Sequence, residues 1–124
     1  MTGGTILVVE DEGLIALHLT MMLERKGYRI TGPAYSGEMA LCEIGKSPLT
    51  DLVLMDIALA GKLDGIETAR QIRQQYPALP LIFVTAYSPE RILDRMRDLA
   101  PDGVLIKPFE DTDLLALIEK ALHR

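Results

Sequence analysis

This 124-residue sequence has a single cysteine, no excess of positive charge and no long apolar run. A single cysteine, Cys42, excludes an internal disulfide, and neither it nor the two histidines belong to a cluster with zinc-ligand spacing. Cys42 reads instead as a packed or half-buried residue, and His18 and His123 as surface or half-buried positions on helices. No apolar run approaches the roughly 20 residues that span a bilayer, and no charged segment followed by an apolar stretch opens the chain. No membrane partner is expected, and the expected location is the cytoplasm. Lys and Arg number 13 against 18 Asp and Glu, for a net charge of −5. A chain of that balance lacks the basic face that neutralises phosphates, so direct DNA binding is not expected. The length fits one domain, residues 1–124, that buries roughly two thirds of its unfolded surface.

What the sequence does have is a set of apolar runs that end in chemistry. Thr5-Ile6-Leu7-Val8-Val9 runs into Glu10-Asp11-Glu12, and Asp51-Leu52-Val53-Leu54-Met55 into Asp56. Leu81-Ile82-Phe83-Val84 ends in Thr85, and Gly103-Val104-Leu105-Ile106 in Lys107-Pro108. Two strands that deliver carboxylates suggest a divalent metal site; acids, a hydroxyl and an ammonium together could handle a phosphoryl group.

Short apolar runs alternate with longer periodic stretches, which predicts five βα units. The strands are expected at Thr5–Val9, Tyr28–Pro33, Asp51–Met55, Leu81–Val84 and Val104–Ile106. Helices are expected at Glu12–Lys26, Gly37–Gly45, Gly65–Tyr76, Pro89–Leu99 and Asp111–His123. Gly27 after the basic end of the first helix suits a left-handed cap. Ser36, Asp64 and Ser88 are candidate N-caps, the last with Pro89 at the first helical position. The longest irregular segment runs from Asp56 to Asp64, and long loops in compact domains are often functional. Near-continuous apolar strands separated by helices imply a doubly wound parallel sheet. In such sheets ligands sit beyond the carboxyl ends of the strands, where strand order reverses. With order 2-1-3-4-5, the first and third strands are neighbours there, and Glu10, Asp11 and Asp56 converge.

These residues resemble the receiver domain of two-component response regulators, over essentially the whole chain. The motifs that carry the resemblance are the acidic pair Glu10-Asp11, Asp56 ending the third strand, Thr85-Ala86 after the fourth and Lys107-Pro108 after the fifth. Each is weak alone; together, in order and each at a strand end, they are specific. The resemblance implies the (βα)5 flavodoxin-like fold and an Asp56 that accepts a phosphoryl group from a sensor histidine kinase or a histidine phosphotransfer protein. It implies Mg²⁺, or Mn²⁺, held by Asp11 directly, Glu10 through water, Asp56 and the backbone carbonyl of Ala58. Lys107 neutralises charge, Thr85 donates its hydroxyl, Ala86 leaves room for the group, and Pro108 aims Lys107. Beyond a self-phosphorylating and self-dephosphorylating Asp56, no enzyme activity is implied.

The chain also departs from the family pattern. Val104 stands where many receivers carry an aromatic switch residue, and Tyr87 is its candidate replacement. Val84-Thr85-Ala86-Tyr87 is similar to a subgroup of single-domain receivers with a Thr-Gly/Ala-Tyr signature, whose extended loop after the acceptor Asp the stretch from Asp56 to Gly65 also resembles. An apolar Ala58 and a bulky Tyr87 offer no obvious group to orient hydrolytic water, so a long-lived phosphoryl state is expected. The first helix holds more apolar residues than one buried face needs. It reads either as a broad buried helix or, as the resemblance implies, as the face that docks the kinase. The apolar last helix raises the same question for a homodimer. No output domain is expected after it, and the downstream protein target is left open.

Each residue has an ordinary reading as well. Glu10-Asp11-Glu12 could cap the first helix, Asp56 could be a turn residue, Thr85 a strand end, and Lys107 a solvated lysine. Other classes stay in view: a non-phosphorylated pseudo-receiver, a flavodoxin-like binding module, and a Mg²⁺-dependent aspartyl-phosphate phosphohydrolase of the haloacid dehalogenase type. The last needs Asp-x-Asp to protonate its leaving group, and Ala58 occupies the second acidic position.

Overall fold

The computed structural model of the chain describes residues 3–46, 49–59, 61–86 and 88–123. Five parallel strands, β1 (Thr5–Val9), β2 (Arg29–Ala34), β3 (Leu52–Asp56), β4 (Leu81–Thr85) and β5 (Gly103–Ile106), form one sheet in the order β2-β1-β3-β4-β5. The helices between and after them are α1 (Gly13–Arg25), α2 (Gly37–Lys46), α3 (Gly65–Gln75), α4 (Pro89–Met96) and α5 (Asp111–Leu122). The expected fold class and strand order are borne out. Boundaries differ by a few residues, most usefully at the carboxyl ends: Asp56 and Thr85 are themselves the last residues of their strands.

The sheet is covered on both faces because side chains of successive strand residues point to opposite sides. Leu7, Val9, Val53, Met55, Leu81 and Phe83 pack with residues of α2, α3 and α4, such as Ile44, Ile66, Ile72 and Ile92. Ile6, Val8, Leu52, Leu54 and Ile82 pack on the other side with Leu19 and Leu23 of α1 and Leu114 and Ile118 of α5. Strands apolar at every position are what such a sandwich requires.

Local chemistry sets the helix ends. Gly27, at φ +94°, closes α1: its N–H donates to the Glu24 carbonyl at 3.0 Å, and that of Tyr28 to Leu23 at 3.2 Å. This paired pattern needs a left-handed residue where glycine carries no penalty. Ser36 Oγ accepts from the Met39 N–H at 3.1 Å. Asp64 and Glu67 form a reciprocal capping box on α3. Ser88 holds the N-cap position of α4 but makes no side-chain capping bond, so Pro89 at the first helical position carries that start. The run expected as one helix to Leu99 is α4 followed by a 3-10 turn, Arg97–Leu99, ending at Ala100 with φ 46°. Cys42 is exposed on α2 rather than packed, since Ala40 and Ile44 take the inward face. No helix among the described residues is long and apolar enough to cross a membrane.

The surplus apolar residues of α1 face solvent. Ala16, Leu19, Met22 and Leu23 are buried, whereas Leu14, Leu17 and Met21 are 84%, 54% and 46% exposed. In α5, by contrast, Leu114, Ile118 and Ala121 are buried, and Leu115, Leu117 and Leu122 pack half-buried against the same core. Its apolar residues are used within the chain.

Candidate functional site

Parallel pairing aligns the four strand ends. Val9 pairs with Met55, Asp56 with Val84, and Thr85 with Ile106, so Glu10, Asp56, Thr85 and Lys107 emerge on neighbouring strands at one edge. Two backbone bonds fix the flanks: the Glu10 N–H donates to the Ala34 carbonyl at 2.9 Å, and the Lys107 N–H to the Thr85 carbonyl at 2.7 Å.

Glu10, Asp11 and Asp56 each bring a carboxylate oxygen to within 4.8 Å of the others. Glu10 and Asp56 are almost wholly buried, at 1% and 4% exposure. Carboxylates out of water need compensation, and Lys107 supplies it: Nζ lies 3.0 Å from Glu10 Oε1 and 3.5 Å from Asp56 Oδ2. The other Glu10 oxygen accepts from the Glu12 N–H at 3.1 Å, and Asp56 Oδ1 from the Ala58 N–H at 3.2 Å. Glu12 at the N-cap of α1 makes no side-chain capping bond, and Glu10 turns its first oxygen toward Lys107.

The electrostatics are unequal. Burial first, then the charge and hydrogen bond of Glu10, push the Asp56 carboxyl up to about 7; Lys107 and the Ala58 N–H oppose the rise without cancelling it. Burial on its own would lower the Lys107 ammonium, but its bond to Glu10 and the charges of Asp56 and Glu10 prevail, so it is raised above its ordinary 10.5 and stays charged. A close set of carboxylates beside the Lys107 ammonium suits a hard, oxygen-seeking divalent cation. The same ammonium could meet an anionic group brought to Asp56.

The remaining expected positions fall around this centre. Thr85 is fully buried at the β4 end, Ala86 beside it is exposed, and Ala58 is exposed two residues past Asp56. The Lys107–Pro108 peptide is cis. Val104, half-buried, packs against the core shared with α2, α3 and α4. Tyr87, the candidate switch residue, lies outside the described residues.

One feature around the site escaped sequence reasoning. A Cβ on Gly65 would overlap the Asp56 carbonyl oxygen, so the start of α3 rests directly on the backbone of Asp56. The Gly65 N–H also donates to the Ile57 carbonyl at 2.8 Å, closing the loop between them. Glycine as first residue of a helix was the only available signal, and it reads equally as a turn residue.

Buried acids beside Lys107 at the carboxyl edge of a five-stranded sheet of this order mark the class of protein, a signalling module. The chain belongs to the response regulator receiver domain family, whose model matches residues 6–119. It is 38% identical over 119 residues to the transcriptional regulatory protein PdtaR of Mycobacterium tuberculosis, and 35% over 117 residues to the phyllosphere-induced regulator PhyR of Methylorubrum extorquens. These matches cover 96% and 94% of the chain but 57% and 43% of those proteins, so the chain spans about half the length of the curated relatives it matches. In structure it is similar to the response regulator TrrA of Thermotoga maritima in complex with Mg²⁺ and BeF, with a TM-score of 0.85 and 34% identity over 96% of this chain and 99% of that one.

Proposed function

We propose that this receiver accepts a phosphoryl group on Asp56 from the phosphohistidine of a sensor kinase or phosphotransfer protein. The observation that carries the reading is the convergence of Asp56, Glu10, Asp11 and Lys107 Nζ at one sheet edge. A carboxylate oxygen of Asp56 attacks phosphorus; the P–N bond to the histidine breaks as the P–O bond forms, and the imidazole leaves. Attack on an anionic group needs positive charge at the equatorial oxygens, and Lys107 contributes it as a fixed ammonium beside Asp56. Thr85 donates its hydroxyl to a phosphoryl oxygen, and Ala86 adds no bulk in its way.

Asp11, Asp56 and the Ala58 carbonyl would hold Mg²⁺ or Mn²⁺, with Glu10 acting through water. Glu10's existing bonds to Lys107 and to the Glu12 N–H support that indirect place. When bound, the ion supplies charge neutralisation at the phosphoryl oxygens. The relatives' names, a transcriptional regulatory protein and a phyllosphere-induced regulator, support a regulatory signalling output. The exposed stripe Leu14, Leu17 and Met21 supports docking of the kinase on α1.

The test is intact mass after incubation with Mg²⁺ and acetyl phosphate, beside Asp56→Asn and a chelated control. One added phosphoryl group, absent from both controls, is the expected result. Failure to gain it from acetyl phosphate and from a phosphorylated histidine kinase would leave the pseudo-receiver reading.

A further inference from the structure

We propose that Asp64 and Arg95 form a latch that couples the loop behind Asp56 to the position of α4. The inference rests on Asp56 being the phosphoryl acceptor. Its physical basis is a short, stiff path. The start of α3 rests on the Asp56 carbonyl at Gly65, and the Gly65 N–H is bonded to Ile57. A shift of the Asp56 backbone therefore reaches Asp64, the residue before Gly65, with no slack between.

Asp64 is held at both carboxylate oxygens. Oδ1 accepts from the Glu67 N–H at 2.9 Å as the α3 cap, and Oδ2 lies 2.8 Å from Arg95 Nη2 of α4. An isolated exposed ion pair would transmit little, because long side chains reorient in water. Here one partner is already fixed by the cap, and the other end is fixed as well. Arg70 of α3 donates from Nη2 to the Arg95 carbonyl at 2.9 Å and from Nη1 to Asp98. Arg73, one turn further along α3, donates to the Leu99 carbonyl at 3.1 Å, past the end of α4. Two arginines of α3 thus grip the carboxyl end of α4, while Asp64 reaches across to a side chain of the same helix. The carboxylate points one way and the guanidinia the other, so α3 and α4 are tied in both directions, and the tie nearest Asp56 is Asp64. By linkage, what Asp56 carries then biases α4, and the position of α4 biases binding at Asp56.

The test uses the full chain with Mg²⁺ and fluoroberyllate as phosphoryl mimic, reading binding and backbone hydrogen exchange across residues 89–99. Wild type is expected to bind and to change exchange in that segment. Asp64→Asn keeps a capping oxygen and loses the charge; Arg95→Gln loses the partner. Both are expected to bind the mimic within about fivefold of wild type, the scale of one partly exposed pair, and to lose most of the exchange response. The double variant should lose no more than either single one, and Arg95→Lys should retain part of the response. An undiminished response in both single variants overturns the latch. So does a wild type that binds the mimic without any change across 89–99, which leaves the reading of Asp56 standing. A wild type that binds no mimic and takes no phosphoryl group removes that reading, and the latch falls with it.

Discussion

Asp56→Asn should stabilise the metal-free protein, and the size of the effect follows from the site. In the folded chain the Asp56 carboxyl is pushed from its ordinary 3.8 up to about 7 by burial and by Glu10. At about 1.4 kcal/mol per pH unit, ionising it in place at pH 8 costs about 4 kcal/mol. Relaxation of the surrounding dipoles around the ionised carboxylate brings this to about 2 kcal/mol. The sign is fixed by linkage: between pH 3.8 and about 7 the native state holds a proton that the unfolded chain has lost, so the cost is absent below pH 3.8 and complete once pH has risen through about 7. Asparagine keeps the shape without the charge. In EDTA at pH 8 the variant should melt higher by about 8 °C, taking about 4 °C per kcal/mol for a domain of this size. The gap should shrink toward zero as pH falls to 4. Saturating Mg²⁺ should raise the melting temperature of wild type and leave the variant nearly unmoved. Thermal denaturation at pH 4, 6 and 8, with and without Mg²⁺, measures all of this. A variant less stable than wild type at pH 8 in EDTA, or a gap that does not depend on pH, would refute the reasoning.

Three other variants test separate parts of the site and its surroundings. Lys107→Gln removes the ammonium shared by Glu10 and Asp56, and phosphorylation by acetyl phosphate, followed by mass, should slow by about 100-fold, the usual scale for one charge-stabilising group. Gly65→Ala drives a methyl into the Asp56 carbonyl and should cost about 3 kcal/mol of stability in urea denaturation; a loss under about 0.5 kcal/mol would show that α3 moves aside freely. Leu14→Ser with Leu17→Ser changes only exposed residues, so stability and acetyl phosphate labelling should hold while transfer from a histidine kinase drops about tenfold; equal transfer would rule out docking on this face.

How legible the chain was depended on the range of the interactions. Strands and their order could be read because burial on both faces forces near-continuous apolar runs, as in Leu52–Asp56 and Leu81–Thr85. The site residues could be read because a parallel sheet brings strand ends to one edge whatever the details of the loops. Contacts set by distant packing were not legible. Cys42 looked packable, yet its outward place follows from which side of α2 Ala40 and Ile44 occupy. His18 has an acid 3.1 Å away in Asp111, 93 residues along the chain, which no local spacing could disclose. Ser88 has the identity of a cap without the bond, because Pro89 already presets the backbone there.

The same electrostatic imbalance explains why a fold would tolerate this edge at all. Three carboxylates converge, and among the described residues the Lys107 ammonium lies against two of them, Glu10 and Asp56. For stability alone, replacing such a group with packed apolar residues would serve as well or better. The arrangement becomes favourable only when further positive charge arrives, and a cation that prefers carboxylate oxygens would then displace the Asp56 proton. Lys107 is placed so that its ammonium already spans Glu10 and Asp56, within reach of the phosphoryl group that the proposed function would add at Asp56. The buried acids are therefore a cost carried by the resting domain. Binding of a cation would relieve that cost, and the relief is the free energy it would supply for moving the elements packed against Asp56.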